Sequence, residues 1–151
     1  MSQSLTQLYA HMVFWTKERF PFLSDIAIRD EMHAFIGGMC NTLDSQPVIV
    51  GGVSDHVHIL CLLSKNQAIS RIIGELKRVS SIWIKTKGGI LSKFHWQNGY
   101  GAFSIGRSEI DTVRIYIQNQ PEHHRNRSFQ DEYRAFLNEY EMQYDEQYVW
   151  D

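Results

Sequence analysis

The sequence predicts an α+β fold: a split βαβ antiparallel sheet with two helices on one face, then a short helix and a final one. Three observations lead there. Strand-like runs and helical stretches alternate in the order strand, helix, strand, strand, helix, strand. The two middle strands are separated only by the Gly51-Gly52 and Ser54-Asp55 region, which suits a hairpin. With 151 residues and neither repeat nor low-complexity linker, residues 1–151 read as one domain.

Each element has its own local reason. Leu5 to Lys17 carries Tyr9, Val13, Phe14, Trp15 and Thr16, the aromatic and β-branched content of a strand. Ser24 or Asp25 caps a helix running to about Leu43, with Ile28, Met32, Phe35, Ile36, Met39 and Leu43 recurring at helical spacing. Gly37-Gly38 inside it costs about 1 kcal/mol per glycine relative to alanine, so a close backbone approach is expected there. Pro47 to Val53 forms the second strand. The third starts at His56, with Val57, Ile59, Cys61 and Leu63 facing the core and His56, His58, Leu60 and Leu62 facing away from it.

Gln67 to about Lys85 is the clearest helix, burying Ile69, Ile72, Ile73, Leu76, Val79 and Trp83 before Lys87-Gly88-Gly89 ends it. Trp96 to Ile105 reads as a glycine-interrupted strand. Ser108 and Asp111 form a capping box for a short helix through Asn119, which Pro121 ends. Ser128 and Asp131 open a last helix carrying Phe129, Tyr133, Phe136, Leu137 and Tyr140. The plan is the ferredoxin/RRM-like one, extended by two C-terminal helices.

Composition excludes several classes. A hydrophobic share of 43% and a charged share of 21% are those of a globular protein. No apolar run approaches the ~18 residues of a membrane span, and the first residues lack the basic region of a signal peptide. Cys40 and Cys61 both fall on inward-facing positions and read as small buried hydrophobes, so a cytoplasmic setting is expected. The net charge of −2 argues against a generic nucleic-acid binder, but the distribution is uneven. Between Arg71 and Lys93 six basic residues face one acid, Glu75, whereas Ser128 to Asp151 holds seven acids and only Arg134. Arg71, Lys77, Arg78, Lys85 and Lys87 could therefore face a polyanion; a solvated helix face explains them equally well.

The chemistry centres on His56-Val57-His58. Two residues apart on one strand face, their β-carbons lie roughly 7 Å apart, close enough for both imidazoles to reach one metal ion. On the short helix, Tyr116 and Gln120 share a face one turn apart. Two imidazoles and an amide oxygen leave coordination positions open for phosphate and water, which suits Mg²⁺ or Mn²⁺. His11 comes near this site if the first strand neighbours the third. His123 and His124 point about 100° apart on a helix and would chelate one ion poorly, so phosphate contact or surface placement is expected for them. Trp96, Tyr100 and Phe103 could stack on bases, although such strand aromatics are more often core.

At this point the sequence resembles the single-tyrosine transposases of the HUH nuclease superfamily, the type carried by insertion sequences 200 and 605, with REP-associated tyrosine transposases as relatives. The resemblance rests on Leu8-Tyr9-Ala10-His11, Thr16-Lys17, His56-Val57-His58, Trp96-Gln-Asn-Gly-Tyr100-Gly-Ala-Phe and Tyr116-Ile-Gln-Asn-Gln120-Pro-Glu-His-His124, in family order. It implies a metal-dependent DNA endonuclease and strand transferase acting on single-stranded DNA at hairpin-marked element ends. His56, His58 and Gln120 would bind Mg²⁺ or Mn²⁺, and Tyr116 would form a 5′-phosphotyrosine while releasing a 3′-hydroxyl. It also implies a homodimer in which one subunit's tyrosine helix can complete the other's metal site. The alternative is a domesticated or inactive relative that binds hairpin DNA without cutting; a small metal-dependent hydrolase in which Tyr116 only orients substrate is a third reading.

Overall fold

The computed structural model describes residues 2–151. Its strands are β1 (Tyr9–Trp15), β2 (Gln46–Gly52), β3 (His56–Leu62) and β4 (Gly101–Ile105). Its helices are α1 (Ile26–Thr42), α2 (Ile69–Lys85), α3 (Ile110–Gln118), α4 (Gln120–His123) and α5 (Phe129–Glu139). The sheet order is β2-β3-β1-β4 with every neighbouring pair antiparallel, as the split βαβ plan requires. β1 is shorter than the expected run from Leu5 to Lys17, and β4 covers only the second half of Trp96 to Ile105. Trp96 instead makes an isolated bridge to Thr16.

One sheet face is an ordinary apolar core. Met12 and Phe14 of β1 and Val57, Ile59 and Cys61 of β3 pack there against Met32, Ile36 and Cys40 of α1 and Ile72, Ile73 and Leu76 of α2. Asp25 caps α1 through the amides of Ala27 and Ile28. Trp96 joins this core and donates its indole N–H to Ser80 Oγ at 2.9 Å. Both cysteines are free and buried.

The other face departs from expectation. The sequence places His56 and His58 on an outward face, yet both are fully buried. α5 packs Phe129, Tyr133 and Leu137 onto Val13, Trp15 and Phe103, and α3 packs Ile110 and Ile117 onto Leu60 and Ile105. The sheet is therefore covered on both faces, and the histidines lie between it and the C-terminal helices. The last helix, although it lies in the acidic C-terminal stretch, covers the sheet with the apolar stripe expected for it.

Two glycines permit this close cover, and neither lies in α1. A Cβ at Gly37 would meet only Val50 Cγ2 at 3.9 Å, and one at Gly38 would meet nothing within 4 Å, so the expected close approach is absent there. At Gly51 a Cβ would sit 2.8 Å from Ile117 Cγ2 and 2.9 Å from the Ile117 carbonyl oxygen. At Gly101 it would lie 2.6 Å from the Tyr133 ring. α3, which carries Tyr116, thus rests directly on the backbone of β2. Gly51→Ala should lower stability by about 1–3 kcal/mol, because one of the clashing atoms is backbone and cannot swing aside. Urea unfolding would read this, and an unchanged midpoint would show that α3 moves off β2 at little cost.

The capping box expected at Ser108 is also absent. A 3₁₀ turn at Arg107–Glu109 leads directly into α3, whose N-cap, Glu109, makes no side-chain capping bond. Pro121 does not end the helical path. It occupies the first turn of α4, where its missing N–H is unneeded, so Gln120 begins a new helical turn. At α5 the expected cap is present: Ser128 Oγ accepts from the Asp131 amide at 3.2 Å.

Candidate active site

β3 and β1 supply the floor. In their register His58 lies opposite Val13 and His11 opposite Leu60, so His11 and His58 are diagonal neighbours on one face. His11 Nε2 is 2.8 Å from His58 Nδ1. His56 Nδ1 is 2.7 Å from Asp55 Oδ1. Each motif histidine thus has its Nδ1 held by a fixed partner, which orients the ring and leaves Nε2 to point into the site.

Both Nε2 atoms point at Glu132 of α5. His58 Nε2 lies 3.0 Å and His56 Nε2 3.5 Å from Glu132 Oε1. Gln120 stands beside them: its Oε1 is 3.0 Å from His56 Nε2, and its Nε2 donates to Glu132 Oε2 at 2.8 Å. The Tyr116 hydroxyl donates a short hydrogen bond to the same oxygen. Tyr116 lies next to its own chain's His58, with ring centroids 6.1 Å apart. Folding thus gathers all four expected site residues, His56, His58, Tyr116 and Gln120, around one buried carboxylate.

The electrostatics follow from that carboxylate. Burial opposes charge on Glu132, but hydrogen bonds from His124, His56 and His58 outweigh it and hold the carboxyl far below its usual range. Burial likewise lowers His56, yet Asp55 and Glu132 overcome it and raise its pKa to about 9. His58 is driven down to about 4 by burial and by its histidine neighbours, with Glu132 opposing. His11 is lowered to about 3, chiefly by burial and then by His58. Burial and the adjacent Glu132 charge push the Tyr116 phenol well above its ordinary value, so it stays protonated in this state.

These residues fit a divalent cation. His56, His58 and Glu132 each offer a ligand atom, and the three atoms lie within 4.8 Å of one another. Imidazole nitrogens, a carboxylate and the Gln120 carbonyl make the mixed nitrogen and hard-oxygen set that Mn²⁺ or Mg²⁺ accepts. Rings already held through Nδ1 need no rearrangement to present Nε2.

Three contributors escaped the sequence reading or were assigned elsewhere. Glu132 falls three residues after Phe129 and four before Phe136, so a charge interrupts the apolar stripe of α5; that interruption was the available signal. His123 stacks on Tyr116 with centroids 4.5 Å apart, and His124 lies edge-on to His56 at 4.6 Å. Both pack against the site instead of standing on the surface. Of the strand aromatics, Phe103 is buried and Tyr100 is 39% exposed.

The basic residues of α2 sit across the sheet, in the layer formed by α1 and α2. Lys77 is half-buried, and its ammonium donates to the carbonyls of Gln97, Asn98 and Gly99 at 2.7, 3.1 and 2.8 Å. Burial lowers its pKa to about 8. Lys87 pairs with Glu31 at 2.6 Å, Arg78 with Glu75 at 2.8 Å, and Arg71 donates to Gln67 at 3.2 Å. Lys85 lies in the last turn of α2. None of the five joins the histidine cluster.

Comparison with known proteins agrees with this fold. No curated protein matches the chain in sequence. Several solved structures share its fold, among them the following two. A candidate transposase from Deinococcus radiodurans R1 is 20% identical, with a TM-score of 0.61 over 80% of this chain and 98% of that one. A REP-associated tyrosine transposase, solved bound to a REP hairpin, is 15% identical, with a TM-score of 0.59 over 83% of this chain and 75% of that one. The model of the IS200-like transposases matches residues 4–120, from before β1 through Gln120, and leaves α5 with Glu132 beyond its end. Since that match spans the whole sheet and the tyrosine helix, the chain belongs to the IS200-like transposase family.

Proposed function

We propose that this transposase cuts and rejoins single-stranded DNA at hairpin-marked ends through a 5′-phosphotyrosine at Tyr116. The observation that carries the reading is the convergence of Tyr116, Gln120, His56 and His58 on one buried carboxylate within a single chain. His56, His58, Glu132 and Gln120 would hold a Mg²⁺ or Mn²⁺ ion, which supplies Lewis-acid stabilisation of charge on the scissile phosphate. Tyr116 Oη forms the new bond to phosphorus as the bond from phosphorus to the 3′-oxygen breaks, and the released strand leaves as a 3′-hydroxyl. Glu132 Oε2 accepts from the phenol and aims its oxygen; because the carboxyl is held far below its usual range it is a poor base, so the tyrosine proton leaves to water as the bond to phosphorus forms. The phosphotyrosine retains the ester, so a second 3′-hydroxyl can reverse the step without an energy-rich cofactor.

The buried histidines add a condition. With α5 seated, a DNA phosphate has no open path to either imidazole, so productive binding requires α5 to shift. Tyr116 also lies beside its own His58, which favours catalysis within one subunit over an exchanged helix. A homodimer then serves to pair two DNA ends, and sedimentation with and without DNA reads that state. Among the described residues no helix is long and apolar enough to cross a membrane; the reading places the enzyme in the cytoplasm with its DNA.

The test is a denaturing gel with mass spectrometry after incubation with Mn²⁺ and single-stranded DNA carrying hairpins from the sequences flanking its gene. A metal-dependent adduct mapping to Tyr116 is the expected result. Tight binding of a hairpin with no adduct would instead assign the chain to DNA binding without cleavage.

A further inference from the structure

A cleft of 480 Å³ opens beside the histidine cluster, on the side of Asp55 and His124. Four arginines from separate segments line it: Arg19 in the turn after β1, Arg29 on α1, and Arg125 and Arg127 between α4 and α5. Asp55 is the one acid in the lining, and its carboxylate is already held by His56 at 2.7 Å. The cleft thus keeps a strong positive excess.

The arginines are weakly committed elsewhere. Arg125 is 72% exposed and meets Glu122 only at 3.5 Å, an exposed pair of little energetic consequence. Arg127 donates to the Asp131 carbonyl at 3.4 Å. Arg29 uses Nε on the Leu23 carbonyl, which leaves its terminal nitrogens available. Arg19 is the exception, since its Nε and one terminal nitrogen both donate to the Gln130 amide oxygen at 3.0 Å. α5 begins in the same wall with Ser128 and Phe129, so the positive end of its dipole adds to the field.

His124 bridges the cleft and the cluster: its Nε2 is turned inward, 3.2 Å from Glu132 Oε2, and its Nδ1 donates to the Arg127 carbonyl at 2.7 Å. It sits where the cleft meets the histidine cluster. The lining holds one aromatic, Phe129, and that ring is buried. Charge without an exposed stacking surface recognises backbone rather than bases.

We propose that this cleft holds the phosphodiester backbone of the single strand adjoining the cleaved link, outside the hairpin itself. The inference rests on the strand-transfer reading, since its position matters only if the scissile phosphate lies at His56 and His58. Asp55 and His56 are consecutive, so a strand whose phosphate sits on His56 has its neighbouring phosphates within reach of the arginines. The contacts are independent of base sequence and sensitive to salt.

The test compares wild type with the double variant R125Q/R127Q, whose substituted side chains are exposed and lie outside the catalytic cluster. The probes are a fluorescent hairpin with a thymidine flank of about ten nucleotides and the same hairpin without a flank. The variant should bind the flanked probe on the order of tenfold more weakly, with the slope of log affinity against log salt reduced by roughly 0.7 per lost contact. Its affinity for the bare hairpin should stay unchanged. Equal affinity of both proteins for the flanked probe, equal losses on both probes, or no binding of the flanked probe by wild type would each overturn the proposal. Inorganic phosphate at millimolar concentration competing as well as the thymidine strand would also overturn it, by making the cleft a free-anion site. A Tyr116 adduct with no arginine dependence sinks the cleft and leaves strand transfer standing; arginine-dependent flank binding without an adduct does the reverse.

Discussion

Tyr116→Phe is expected to yield no covalent protein–DNA product, with strand cleavage falling by several orders of magnitude while hairpin binding persists. The substitution removes one oxygen and leaves the ring, which packs beside Phe136 and stacks on His123. Its cost in stability should be small. Glu132 loses one hydrogen bond but keeps Gln120, His56, His58 and His124 as neighbours. A melting temperature close to wild type together with lost cleavage therefore isolates the nucleophile. Normal cleavage by this variant would remove Tyr116 from that role and favour a hydrolase in which the phenol only orients substrate. Adding Mn²⁺ should not rescue it, because the missing group is the attacking atom and not a ligand.

The core face of the sheet was legible because periodicity alone determines it. Val57, Ile59 and Cys61 alternate with His56 and His58, and α2 shows its stripe directly. The site's lower half was legible for the same reason: a His-x-His on one strand face and a Tyr and Gln one helical turn apart each follow from local geometry. Even His11 could be placed, since the split βαβ plan makes β1 the neighbour of β3. What pattern could not supply was the far cover. A strand with polar residues on one side reads as half-exposed, and only the docking of α5 turns that side into an interior. The same limit hid Glu132. A carboxylate in an acidic C-terminal stretch reads as solvated, and its burial depends on four partners distant in sequence. Glycine told a similar story. The conspicuous Gly37-Gly38 pair has open space beside it, whereas Gly51 and Gly101 meet α3 and Tyr133 across the sheet, a contact no local window contains.

Glu132→Ala should destabilise the metal-free protein by about 3–5 kcal/mol, the range for removing one partner of a buried charged set. The carboxylate ties α5 to three elements at once: β3 through both histidines, α4 through Gln120, and α3 through the Tyr116 hydroxyl. Its loss leaves His56 buried with Asp55 as its one carboxylate partner, beside the neutral Gln120 amide. The pH dependence in EDTA gives an independent check, and its sign follows from the directions of shift. His56 is raised to about 9, so its contribution is full below the unfolded value near 6.5 and disappears as pH rises through 9. The gap corresponds to about 3 kcal/mol. His58 and His11, lowered to about 4 and about 3, act oppositely: the unfolded chain gains protons first, so stability falls as pH drops below about 6.5. Glu132, held far below its usual range, adds to the acid-side loss below about pH 4.3. Urea midpoints of the wild type should therefore peak near neutrality and decline toward pH 9. In Glu132→Ala the alkaline decline should shrink, since Asp55 is then the one negative charge beside a protonated His56. Saturating Mn²⁺ should flatten the same limb in wild type, because a ligand imidazole no longer depends on its proton. A wild-type midpoint that rises steadily from pH 6.5 to 9 would show that His56 is neutral in the folded protein, and that Glu132 is not its partner.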